Sequence, residues 1–224
     1  KRIRRIVYSF GFQHLTKKIY KTVFYSLNKS SNQPLDNFLN DIKLKPLGLS
    51  NWCKANSINL CRVNDLNSKK ALGFLKKINP DCVVYCGGGI LSKNFIKQSG
   101  FVLNAHAGPL PEIRGMNAAE WSFLLGMKQE VTIHFIDEGI DTGQVIKTFP
   151  YTIKNCRYIN QIRDVSVITG IKGLINVLQD RSIFSNPIYP DNSKQELSRQ
   201  CFVMSPLIRS LCQNKLDLYT NELS

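Results

Sequence analysis

From Leu49 onward the chain alternates short apolar runs with longer amphipathic stretches, and this rhythm restricts the fold more than any other feature. Leu49–Ala55 has helical spacing, and Ile58–Val63 reads as a short strand. Asp65–Ile78 is helical in spacing, with Asp65, Asn67 and Ser68 available as caps, and Pro80-Asp81 ends it. Cys82–Cys86 is an apolar run suited to a buried parallel strand. Gly87-Gly88-Gly89 follows, then a helix around Lys93–Gln98 and a strand over Phe101–His106. A helix over Met116–Leu125 stops at Gly126. Strands over Val131–Asp137 and Gln144–Tyr151 precede a long closing helix, Tyr158–Gln179. Strands and helices in turn predict an α/β fold with a mostly parallel sheet flanked by helices.

Ahead of this pattern, Ile3–Asn28 reads as a long amphipathic helix, with Arg5–Gly11 as a strand and turn in the competing reading. Residues 28–36 are a polar linker. The expected organisation is a helical N-terminal segment over 1–45, whose lack of an initiator Met suggests truncation, an α/β domain over 46–184 and a short C-terminal extension over 185–224.

A chain of 224 residues suits one domain with a short appendage. Hydrophobic residues at 43% exclude wholesale disorder, and no apolar run approaches the ~20 residues of a membrane span. Lys1-Arg2-Ile3-Arg4-Arg5 lacks the apolar core of a signal peptide. Thirty Lys and Arg against 16 Asp and Glu give +14, which attracts anions. The excess is spread along the chain and forms no nucleic-acid motif. Seven cysteines without a CxxC pair point to reduced thiols and a cytoplasmic setting, and three histidines argue against a zinc site.

In an open α/β sheet, ligands bind beyond the carboxyl ends of the strands, where three groups of residues stand out. The first is Gly87-Gly88-Gly89-Ile90-Leu91, whose backbone can approach a flat ligand or simply turn the chain. Walker and GxGxxG patterns are absent. The second is Asn104-Ala105-His106: strand alternation puts Asn104 and His106 on one face. Histidine moves protons near neutral pH, and an Asn amide can donate to a developing oxyanion. The third is Thr132-Ile133-His134-Phe135-Ile136-Asp137-Glu138-Gly139-Ile140-Asp141-Thr142-Gly143. It offers three carboxylates, Asp137, Glu138 and Asp141, as partners for His106, and spacing does not choose among them.

Asn-x-His, a proline-bearing loop ending in Arg114-Gly115, Trp121 on the next helix, and Val131-Thr132-x-His134 leading to Asp141-x-Gly143 together resemble the formyltransferase fold family. The motifs run from about Ile58 to Tyr151. The resemblance implies a Rossmann-like sheet and 10-formyltetrahydrofolate as formyl donor, with no metal. It also implies that Asn104 polarises the formyl carbonyl, that His106 assists and moves protons, and that Asp141 is the catalytic carboxylate. Gly87, Gly88, Gly89, Ile90 and Leu91, with Gly139 and Ile140, match the regions that cradle the pterin. Arg114 would meet an anionic acceptor or the folate tail, or make a structural salt bridge. The family's Ser-Leu-Leu-Pro loop reads Gly108-Pro109-Leu110-Pro111 here. The stretch after Tyr151 is shorter than the added barrel of methionyl-tRNA formyltransferases. The acceptor expected is therefore a small primary amine, such as a nucleotide-linked amino sugar, rather than a nucleic acid. Competing readings are hydrolysis of formyl-folate, a binding module without turnover, and nucleic-acid binding through the basic N-terminal helix.

Overall fold

The computed structural model describes residues 6–9, 34, 37–38, 49–87, 89–180 and 198–222. The chain divides into two compact units, Lys1–Gly100 and Phe101–Ser224.

In the first unit, β1 (Ile6–Ser9) runs parallel to β2 (Cys82–Tyr85), with Ile6 opposite Cys82 and Ser9 opposite Tyr85. The helical reading of Ile3–Asn28 is thereby corrected over Ile6–Ser9, in favour of the strand alternative. Three- and four-residue apolar steps could not register that Ile-Val-Tyr is itself a run suited to a parallel ladder. The rest of that reading lies outside the described residues, as does the linker 28–36 apart from residue 34. Helix α1 (Leu49–Ala55) forms as expected. The strand expected over Ile58–Val63 does not form. Ile58 and Leu60 point to solvent, so the apolar alternation there marks an extended connection without a buried face.

Helix α2 (Lys69–Ile78) starts four residues later than the spacing suggests. Asp65 is spent on a turn, accepting from the Asn67 N–H at 2.9 Å, and Ser68 takes the capping role by accepting from the Ala71 N–H. Asn79 ends the helix in the left-handed region, φ 47°, donating its N–H to the Leu75 carbonyl. Ser92 caps α3 (Lys93–Ser99), which buries Phe95.

The second unit is built on an antiparallel ladder of β3 (Phe101–His106), β5 (Glu130–Phe135) and β6 (Val145–Pro150). The α/β class is as expected. The direction of these strands is a feature that alternation cannot carry, because it counts elements and not the side on which the chain returns. The long helix α5 (Ile159–Gln179) packs across all three strands. Helix α4 (Ala118–Leu124) and a C-terminal helix α6 (Pro206–Asn221) meet it over a core of Ala119, Phe123, Ile153, Cys156, Ile159, Ile162, Cys212 and Leu216.

Three elements escaped the sequence reading, helix α6 and two short strands. Strand β4 (Ile113–Gly115) lies inside the proline-bearing loop, and it pairs in parallel with β7 (Arg199–Cys201) from the C-terminal segment. Strands of three residues leave no periodicity to read. Buried Glu120 on α4 ties the helices together: Arg163 on α5 donates to it, and the Arg209 guanidinium on α6 stands 3.9 Å away. Among the described residues no helix is long and apolar enough to cross a membrane.

Candidate active site

The β3–β5 register places Asn104 opposite His134 and His106 opposite Thr132. Period two then sends all four side chains to one face. Thr132 is fully buried, accepting from the Leu110 N–H at 3.2 Å and donating to the Gly108 carbonyl at 2.7 Å. It anchors the start of the proline loop against the ladder.

His134 and Asn104 form the first hydrogen-bonded pair. His134 Nδ1 lies 2.8 Å from the Phe135 carbonyl, which can only accept, so Nδ1 carries the proton. Burial, followed by the neighbouring His106, pushes the His134 pKa down to about 4, and the ring is neutral near pH 7. Its Nε2 is therefore an acceptor, and it takes a hydrogen from Asn104 Nδ2 at 3.0 Å. This fixes the orientation of the Asn104 carboxamide. One amide hydrogen goes to His134, and the second has no hydrogen-bond partner shown among the described residues.

His106 and Asp141 form the second pair. His106 Nε2 donates to the Ile113 carbonyl at 2.7 Å, and Nδ1 stands 3.3 Å from Asp141 Oδ2. Burial lowers the His106 pKa, opposed by the Asp141 carboxylate and the Ile113 carbonyl. In the neutral ring a lone pair faces a carboxylate oxygen. The pair lacks one proton, and a proton released nearby turns that contact into a charge-assisted hydrogen bond. Asp141 sits in the left-handed region, φ 52°, a conformation Asp adopts more readily than most residues. The Gly115 N–H donates to its Oδ2 at 2.8 Å, and its Oδ1 lies 3.7 Å from His134 Nε2. Asp141 thus touches both pairs.

The choice among three carboxylates is made by packing. Asp137 is exposed and accepts from the Gly139 N–H and the Thr142 hydroxyl, which closes the loop, and Glu138 is exposed. Asp141 brings its carboxylate to 3.3 Å from His106 and 3.7 Å from His134, while Asp137 acts on His134 through its charge. The residues missed from sequence are the backbone groups of Ile113 and Gly115. Their one signal was the glycine of Arg114-Gly115, which has φ 94° and whose added Cβ would stand 2.3 Å from the Cys201 carbonyl oxygen.

Gly87 and Gly89 have φ 101° and 98°, and a Cβ at either would meet nothing within 4 Å among the described residues beyond its chain neighbours. The backbone conformation requires glycine there, while the space beside it is open. Gly88 lies outside the described residues. Ile90 is 75% exposed, an unusual setting for a large apolar side chain, whereas Leu91 is buried. Ile140 is also exposed. Arg114 is half-buried, and its Nε is buried with no hydrogen-bond partner among the described residues. The Trp121 indole N–H donates to the Phe202 carbonyl at 2.8 Å.

The model of the formyl transferase family matches residues 48–176, more than half of the chain. The chain belongs to the formyl transferase family. Methionyl-tRNA formyltransferase of Finegoldia magna is 25% identical over 174 residues, covering 76% of this chain and 54% of that protein. The same enzyme of Clostridium tetani is 27% identical over 135 residues, covering 59% of this chain and 43% of that protein. The chain thus spans about half the length of these curated relatives. A sugar N-formyltransferase from a Shewanella species shares the fold, with TM-score 0.53 at 17% identity over 83% of this chain and 85% of that one. So does phosphoribosylglycinamide formyltransferase from Bacillus halodurans, with TM-score 0.51 at 20% identity over 82% and 97%. The family match ends at residue 176, before β7 and α6.

Proposed function

We propose that this chain transfers a formyl group from 10-formyltetrahydrofolate to a small primary amine. The observation that carries the reading is the convergence of Asn104, His106, His134 and Asp141 within one hydrogen-bonded cluster. The folate supplies a formyl group activated on N10. Asn104 donates its second amide hydrogen to the formyl oxygen as negative charge gathers there, already aimed by His134. The His106/Asp141 pair takes the proton that the amine loses as its nitrogen bonds to the formyl carbon. It returns that proton to N10 as the old carbon–nitrogen bond breaks. Gly87–Leu91 serves the pterin: the space beside Gly87 and Gly89, open among the described residues, supports a backbone surface that a flat ring can approach. The Arg114 Nε, without a partner among the described residues, and the net charge of +14 support an anionic acceptor, such as a nucleotide-linked amino sugar.

The test is product analysis with 10-formyltetrahydrofolate and a panel of nucleotide-linked amino sugars, glycinamide ribonucleotide and methionyl-tRNA. N-formyl product from a small anionic amine supports the proposal. Formate release unaffected by any amine replaces it with hydrolysis. Folate binding without turnover replaces it with a binding module.

A further inference from the structure

We propose that the C-terminal segment 198–222 is a positioning element for the catalytic pair: β7 holds β4, and two backbone groups of β4 hold His106 and Asp141. The segment lies beyond the family match, and the inference rests on the formyl-transfer reading for its kinetic consequence.

Both partners of the pair are steered by main chain. The Ile113 carbonyl receives His106 Nε2, and the Gly115 N–H reaches Asp141 Oδ2. These two groups sit at the two ends of a strand of three residues. Such a strand has too few ladder bonds to hold its own position and depends on its neighbour. That neighbour is β7. The Arg199 N–H donates to the Glu112 carbonyl at 2.9 Å, and the Met116 N–H to the Cys201 carbonyl at 2.9 Å, so the ladder brackets β4 at both ends. The approach is close enough that only glycine fits at 115.

β7 is pinned in turn. The Trp121 indole donates to the Phe202 carbonyl, and the Met204 N–H donates to Asn117 Oδ1 at 3.1 Å. Ser205 caps α6, whose Cys212 and Leu216 are buried in the core. The Lys215 ammonium donates to the Phe123 and Leu124 carbonyls at the end of α4. A path of hydrogen bonds therefore runs from the C-terminal helix to both catalytic side chains.

The test compares Arg199→Pro with Arg199→Ala. Both lose the same exposed side chain, and only the proline loses the N–H that reaches Glu112. Trp121→Phe removes a single outer pin and carries the test if the proline variant does not fold. His106 is one of three histidines, so its ring resonance can be followed by NMR without any substrate. Arg199→Pro should lower kcat at least ~10-fold below Arg199→Ala, with the KM for 10-formyltetrahydrofolate changed much less, since misplacement of order 1 Å can cost ~100-fold. The His106 resonance should move in Arg199→Pro, and move less but in the same sense in Trp121→Phe. Equal kcat and an unmoved resonance across these pairs overturn the proposal. A displaced resonance in a chain that transfers formyl to no amine removes the reaction and leaves the positioning in place.

Discussion

The β3–β5 and β4–β7 ladders meet at the same carboxylate and contribute in opposite ways. The first is antiparallel, buried and six residues long on each side, and it works through side chains: Asn104, His106, Thr132 and His134. The second is parallel and three residues long, and it works through main chain: the Ile113 carbonyl and the Gly115 N–H. A side chain can be deleted while its neighbours keep their places. A backbone donor can be moved only by moving its strand. In the proposed reading, chemistry resides on the long ladder and alignment depends on the short one.

Removing the chemistry should have the largest effect. Asn104→Ala, His106→Ala and Asp141→Ala should each lower kcat at least ~100-fold, the range of oxyanion donors and acid–base groups. Near-normal turnover in all three would break the assignment of chemistry to the long ladder. His134→Phe keeps a ring of similar size and removes the acceptor that aims Asn104. It should lower kcat ~10-fold with little change in KM, a smaller loss than deleting the amide itself. A loss as large as that of Asn104→Ala would make His134 more than an aiming residue.

Gly87→Ala tests a third kind of contribution, backbone beside open space. The methyl group meets no other described residue within 4 Å, but the positive φ resists a side chain. The KM for 10-formyltetrahydrofolate should rise a few-fold with kcat held, the pattern of lost uniform binding. An unchanged KM would leave the glycines as turn formers only.

Stability against pH should show the smallest effect. His134 and His106 both have depressed pKa values in the folded chain, so the unfolded chain binds their protons first as pH falls. The stability of their neutral forms is fully present above the unfolded value near 6.5 and, for His134, is lost as pH falls towards about 4. Melting temperature should decline across that window, and the decline should flatten in His134→Phe. An equally steep decline in that variant would place the titration elsewhere.

Much of the long ladder was legible along the chain, because alternation is a local property. Asn104 and His106 are two residues apart, and so are Thr132 and His134, which sets each pair on one face whatever the strands pair with. The same locality misled at Ile6–Ser9, where a strand sits within helix-like spacing, and at Ile58–Val63, where alternation has no buried face to serve. The short ladder left almost no trace, since it joins residues more than eighty positions apart and uses main-chain atoms common to all residues but proline.

The α/β class, the family and the set of reactive side chains were readable from the linear chain, because these follow from spacing and residue type. Packing decided that the Asp141 carboxylate lies within 4 Å of both histidines, that the second unit's ladder is antiparallel, and that His134 is hydrogen-bonded to Asn104. It also brought the C-terminal strand against β4. Those outcomes depend on which surfaces bury one another and on how buried donors find acceptors. A linear pattern lists the groups to be satisfied, and only the packed chain selects their partners.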